Sequence, residues 1–229
     1  MALEALIRFS DEELKHQELF RRIEKMIAAK MPPGYKFLPQ PNDVASVVLS
    51  KSTWAVLGLT LLIELFTQTH YLKSIEPDQE SSPLYRDVFL YHWKEERQHA
   101  RIDELEWIRE NESMSPEQRD RAVDDMIELV VAVDGILRVQ AAADVDYFLT
   151  VSGTAFFEEN VARLRAGVLA AYRWQYIFSG AGERRFQRVL RSMITDAQFR
   201  RIEEALAPLA EVSEPVEMAA NRAQLVLQS

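Results

Sequence analysis

Residues 91–99 read Tyr-His-Trp-Lys-Glu-Glu-Arg-Gln-His, and this stretch decides how the rest of the chain is interpreted. On an α-helix, residues that are three, four or seven positions apart share one face. His92, Glu96 and His99 therefore point the same way, on a face that apolar residues continue on both sides. Two imidazoles and a carboxylate on a buried face are unfavourable unless their polar atoms are satisfied. A metal ion would satisfy them, because Glu-x-x-His is the inward-facing ligand pair of di-metal helix bundles.

The composition narrows the classes of protein that the chain can represent. The 229 residues are 48% hydrophobic, include no cysteine and carry a formal net charge of −9. Disulfides, zinc–thiolate sites, iron–sulfur clusters and thiol catalysis are thereby excluded. The acidic balance argues against a nucleic-acid partner. We find no signal sequence, and the most apolar run, residues 54–66, is too short to span a bilayer and contains Glu64. We therefore expect a soluble, cytoplasmic protein.

The spacing of the prolines predicts an all-α fold. Long segments without proline lie at 42–76, 84–115 and 117–207, and proline is unfavourable inside helices. No segment alternates between apolar and polar residues for long, which argues against strands. The predicted helices run from residue 3 or 10 to 30, then over 42–75, 83–112, 116–151, from after 154 to 178, 184–193 and 195–207, with a short last helix after Pro215.

Two further helices place ligand-type residues on their apolar faces. Glu13 and His16 lie on an apolar stripe of the first helix, and Glu64 is the only ionisable residue within 54–66. Taken singly, the first pair could be solvated, and Glu64 could pair with an arginine or a tyrosine. At a rise of about 1.5 Å per residue, however, counting from the loops brings both sets to the level of Glu96. The same count puts Asp134 within one turn of that level.

The types of ligand restrict the metal. Carboxylates and imidazoles without thiolates suit iron or manganese, and zinc where it is the available ion. Two ions, bridged by Glu64 and by Glu13 or Glu96, would activate dioxygen. In such a site the chemistry belongs to the metal and the oxygen, and the protein supplies geometry and a dry pocket.

At these residues the chain resembles the ferritin-like di-iron oxygenases, and most closely the p-aminobenzoate N-oxygenase type. That family has a Glu, then Glu-x-x-His, then a Glu, then His-x-x-x-Glu-x-x-His on successive helices. The positions that match in order, within about residues 3–110, are Glu13, His16, Glu64, His92, Glu96 and His99. The resemblance implies a ferritin-like antiparallel bundle, two iron ions, dioxygen, a small organic substrate and an electron donor that the sequence does not identify.

The chain departs from this family at its first carboxylate, which the family carries on a helix before the first Glu-x-x-His. That helix is either lost or outside this chain, or Asp134 supplies the carboxylate, or the site holds a single ion. Heme-oxygenase-like di-iron oxidases, which use a similar set of ligands, are a second family that the pattern resembles.

Three hypotheses follow for the whole chain. The first is a di-iron oxygenase or oxidase, with metal-binding helices in 1–112 and further helices of the same domain in 113–229. The second is a non-catalytic or ferroxidase-like storage bundle that binds metal. The third is a metal-free bundle with a buried hydrogen-bond network. A bundle that lacks one helix would expose apolar surface, so we also expect a homodimer.

Overall fold

A computed structural model describes residues 2–210, and every regular element in that range is helical. The prediction of an all-α helical bundle is thereby confirmed. The predicted helix after Pro215 lies outside the described residues. The helices are α1 (Ala2–Ala28), α2 (Pro41–Leu49), α3 (Thr53–His70), α4 (Pro83–Glu112), α5 (Pro116–Ser152), α6 (Glu158–Arg173), α7 (Ser179–Ala181), α8 (Arg184–Met193) and α9 (Asp196–Ala210). Five-residue π-helical turns extend α3 to Ile75 and α6 to Phe178.

The starts of the two longest helices follow from local sequence. Both have proline in the first turn, where a missing N–H costs no helical hydrogen bond. Ser82 caps α4 by accepting a hydrogen bond from the backbone N–H of Tyr85. Ser115 and Gln118 form a capping box at the start of α5: Ser115 Oγ accepts from the backbone N–H of Gln118, and Gln118 Oε1 accepts from the backbone N–H of Ser115.

Two predicted boundaries are wrong. The helix predicted over 42–75 breaks between α2 and α3, because Ser52 is extended and its backbone N–H donates to the carboxylate of Asp125 at 3.0 Å. Lys51, beside it, pairs with Asp125 and Glu128. The helix predicted to stop before Pro208 instead reaches Ala210. So near a helix end, proline removes only one hydrogen bond and can be accommodated.

The core forms around α3. Trp54, Ala55 and Leu61 of this helix are fully buried, and the surrounding hydrophobic cluster draws residues from α4, α5, α8 and α9. Gly58 allows a close approach, because a Cβ atom there would overlap the side chains of Met126 and Trp107. Helices α5, α8 and α9 thus pack on the same core as α3 and α4.

The first helix is attached very differently. α1 packs along α4, and between residues 3 and 28 His16 is the only buried residue. Its apolar residues Leu3, Leu6, Ile7 and Leu14 are largely exposed. This surface is consistent with the homodimer that we expect, which stays a prediction.

The continuous helical segment Thr53–Ile75 is 23 residues long and, by length and composition alone, could cross a membrane. Within the fold, 50% of its most apolar window is buried. The core helix of a soluble protein meets the same criteria, so our expectation of a cytoplasmic protein without a membrane span stays a prediction.

Candidate metal centre

Two helices bring four ligand-type side chains to one point. Glu13 and His16 come from α1, and Glu96 and His99 come from α4. One ligand atom from each lies within 4.8 Å of the other three, and all but Glu13 are buried. This group, which we call the His–Glu cluster, could bind a metal ion.

The facing atoms of the cluster are close together but are not hydrogen-bonded. His99 Nδ1 lies 2.7 Å from Glu96 Oε2 and 2.8 Å from Glu13 Oε1, and His16 Nδ1 lies 3.2 Å from Glu96 Oε1. Even so, Glu13 Oε1, Glu96 Oε2 and both Nδ1 atoms have no aligned hydrogen-bond partner. Buried polar atoms are almost always satisfied. Imidazole nitrogens and carboxylate oxygens that converge in this way fit a metal cation.

The outer nitrogens of the same histidines are held by a second pair of carboxylates. His16 Nε2 lies 2.7 Å from Glu95 Oε2, and His99 Nε2 lies 2.9 Å from Glu12 Oε2. A carboxylate on the far nitrogen is the usual support for a metal-binding histidine, because it fixes the ring and leaves the other nitrogen free. Here each helix supports the histidine of the other.

Sequence reasoning missed Glu12 and Glu95, although a signal for them was present. The segments 12–16 and 95–99 both read Glu-Glu-x-x-His. In each, the second Glu faces its own histidine and the first Glu reaches the histidine of the neighbouring helix. The repeated motif was therefore a sign of two helices that support each other's histidines.

The other two proposed ligands also meet at Glu96. His92 Nε2 contacts Glu96 Oε1, His92 Nδ1 has no hydrogen-bond partner, and the rings of His92 and His16 lie 4.5 Å apart. Glu64, on α3, lies within hydrogen-bonding reach of Glu96. The structure thus gathers Glu64 and His92 around the His–Glu cluster, with Glu96 at its centre.

Asp134 is not brought to this group. Its Oδ1 accepts from Arg173 Nε at 2.6 Å, and its Oδ2 accepts from Arg138 Nε at 2.6 Å and Arg173 Nη2 at 3.1 Å. Both oxygens are thus engaged by guanidinium groups, so the suggestion that Asp134 supplies the missing carboxylate finds no support. Asp103, one turn beyond His99, is a buried carboxylate nearer the cluster, and its Oδ2 has no hydrogen-bond partner.

The metal-free cluster balances its charge with protons. Burial by itself would lower the pKa of both ligand histidines, but the adjacent carboxylates raise the pKa of His16 to about 10 and that of His99 to about 11. Contacts with the two histidines lower the pKa of Glu13 to about 2. Without metal at neutral pH, both imidazoles are therefore protonated and Glu13 is ionised.

The pKa values of three more deeply buried carboxyl groups, those of Glu64, Glu96 and Asp103, reflect their burial and their neighbours. Burial and the nearby Glu96 raise the pKa of Glu64 to about 10. Glu96 itself keeps a pKa well below its usual range, because three histidines and Glu64 outweigh the effect of its burial. Burial also raises the pKa of Asp103 to about 6. Among the described residues, no lysine or arginine pairs with Glu13, Glu64, Glu96 or Asp103.

Comparisons with known proteins do not add a family to this description. No protein-family model, curated protein or solved structure matches the chain. The functional assignment therefore depends on the chemistry of the His–Glu cluster and of the residues around it.

Proposed function

We propose that the protein is a di-iron oxygenase or oxidase of the ferritin-like kind, acting on a small organic substrate. The observation that supports this most is the buried convergence of Glu13, His16, Glu96 and His99, whose facing atoms lack hydrogen-bond partners. Carboxylates and imidazoles without thiolates are the ligands of non-haem iron, and manganese would fit the same set.

Within this proposal, each residue has a defined part. His16 and His99 would bind through Nδ1, because Glu95 and Glu12 hold their Nε2 atoms. Glu13, Glu64 and Glu96 would supply oxygen ligands, and His92 would supply a further nitrogen. The bound ions would provide the redox chemistry that activates dioxygen. The chain would orient the ligands, and its burial of Glu64, Glu96 and His99 would keep bulk water away from them.

The first experiment measures metal. The full chain is loaded with Fe(II) under anaerobic conditions, freed of excess metal and assayed by elemental analysis. We expect about two iron ions per chain, and a loss of most of this iron in Glu96→Ala because Glu96 contacts all three histidines of the proposed site and lies beside Glu64. Glu112→Ala, an exposed carboxylate at the end of the same helix, is the matched control and should retain the iron.

Wild-type protein without stoichiometric iron or manganese would contradict the proposal, as would full metal content in Glu96→Ala. Catalysis is then separated from storage by following dioxygen uptake in the presence of a chemical reductant. Because the reductant also returns the Fe(III) of a storage-like bundle to Fe(II), uptake with reductant alone is the blank. An oxygenase or oxidase consumes dioxygen faster than this blank when a panel of small organic compounds is added, whereas a storage-like bundle does not.

A further inference from the structure

A second candidate site lies where the loop between α1 and α2 meets α3, α5 and α6. It is a cleft of about 850 Å³, within the size range of small-molecule sites. None of the proposed metal ligands lines it. Most of its wall is apolar, from residues such as Val44, Val48, Ile63, Ile136 and Leu137. We call it the tyrosine cleft, after Tyr35, Tyr172 and Tyr176, which line it together with Phe37.

One carboxylate stands among these aromatic side chains. Asp144 Oδ1 accepts from Gln140 Nε2 at 2.7 Å, and Asp144 Oδ2 accepts from the hydroxyl of Tyr172. Two residues further along, Asp146 is paired with Arg165, but the ion pairs of the described residues include none for Asp144. Within residues 2–210, the cleft therefore has one carboxylate with no partner of opposite charge.

The cleft is held in shape by the same polar residues. Gln140 Oε1 accepts from the backbone N–H of Leu38 at 2.9 Å, and Gln140 Nε2 donates to the carbonyl of Lys36 at 3.1 Å. Tyr147, nearby, donates to the carbonyl of Pro32 at 2.7 Å. These bonds fix the loop against α5, so the cleft exists before any ligand binds, as is usual for small-molecule sites.

The tyrosines add to the negative potential without adding charge. Burial first, and then the nearby Asp144, raise the pKa of Tyr35, Tyr172 and Tyr176, so all three phenols stay neutral at physiological pH. Neutral aromatic rings attract cations to their faces. Aromatic rings around an unpaired carboxylate, beside an apolar wall, complement a ligand that has an ammonium group and a hydrocarbon body.

We propose that the tyrosine cleft binds a protonated amine with an apolar chain or ring. Asp144 would receive its ammonium group, the faces of Tyr35 and Tyr176 would lie against the charge, and the residues of α2, α3 and α5 would cover the hydrocarbon. This site is separate from the proposed metal centre, and its test does not depend on metal.

The test compares two ligands of the same shape. n-Octylammonium and 1-octanol are titrated into the full chain by isothermal calorimetry at pH 7 and constant salt. We expect the ammonium to bind at least about tenfold more tightly than the alcohol, as charge-assisted hydrogen bonds allow. In Asp144→Asn, which keeps an acceptor for Tyr172, the affinity for the ammonium should fall to that for the alcohol. Asp146→Asn is the matched control and should change neither affinity by more than about twofold.

A second variant keeps the test informative if Asp144→Asn does not fold. Tyr176→Leu removes an aromatic face but leaves the hydrogen bonds of Asp144 in place. It should lower the affinity for octylammonium by about threefold and leave the affinity for octanol nearly unchanged. Equal binding of both ligands to the wild type would overturn the proposal. So would equal losses in Asp144→Asn and Asp146→Asn, because attraction to the net charge of −9 would then be non-specific.

Discussion

Two buried polar sites, the His–Glu cluster and the ion pair of Asp134 with Arg173, differ in the partners that their carboxylates have. Asp134 meets two guanidinium groups, both its oxygens accept hydrogen bonds, and Arg173 is fully buried with it. The carboxylates of the cluster meet only histidines and one another, and several of their atoms have no aligned partner. Burial of a charged side chain therefore does not by itself indicate a functional site.

The pKa values of the carboxyl groups at the two sites are shifted in ways that show the same contrast. Burial would raise the pKa of Asp134, but Arg173 and Arg138 reverse this and lower it. Beside the His–Glu cluster, burial and the neighbouring carboxylate of Glu96 raise the pKa of Glu64 to about 10. A permanent cation thus stabilises the first site, whereas the second depends on protons that a metal ion can replace.

The largest effect should come from breaking the structural ion pair. Arg173→Met leaves Asp134 buried without its main partner and should lower the free energy of unfolding by about 3–5 kcal/mol. Arg138→Met removes the more exposed partner and should cost less than about 1 kcal/mol. Urea unfolding followed by circular dichroism measures both. Two outcomes would contradict this contrast. One is an Arg173→Met variant with the free energy of unfolding of the wild type, and the other is a folded Arg173→Met variant that has lost its iron.

The second-largest effect should be the pH dependence of metal binding. At pH 6–8 the pKa values of His16, His99 and Glu64, at about 10, 11 and 10, keep a proton on each. A metal ion must displace these protons, so affinity should increase with pH, by about tenfold per pH unit for each proton released. Titration of Mn(II) by calorimetry at pH 6, 7 and 8 checks this, and buffers of different ionisation enthalpy count the protons. An affinity that does not change with pH would be inconsistent with ligands protonated in this way.

The smallest effect should come from the supporting carboxylates. Glu12→Gln and Glu95→Gln each remove the charge from the far side of one ligand histidine and should weaken Mn(II) binding by about tenfold. Glu18→Gln, on the exposed side of α1, should leave the affinity unchanged. Because each Glu-Glu-x-x-His motif supports the histidine of the other, the two variants should lower the affinity for Mn(II) by similar factors. A large difference between them would contradict the equivalence of the two motifs.

The helices were the most predictable part of the molecule, because proline spacing and helical periodicity are local properties. The break at Ser52 was missed because it depends on Asp125, which is distant in sequence. Asp134 was misjudged for the same reason, since its partner Arg173 lies 39 residues further along. Glu13, His16, Glu96 and His99, which come together in a group that could bind a metal ion, were predictable because ligand-type side chains on apolar stripes are rare. That Glu64 and His92 are also ligands stays a prediction.

The weak attachment of α1 has a consequence for the order in which the protein assembles. This helix provides half of the His–Glu cluster, yet it contributes to the interior only through His16 between residues 3 and 28. The hydrophobic core around α3 contains no residue of α1, so we expect α1 to dock after that core has formed. Because α1 and α4 each supply two of the four residues that could hold a metal ion, an ion bound there would tie α1 to α4, and α1 would have to move away for the ion to leave.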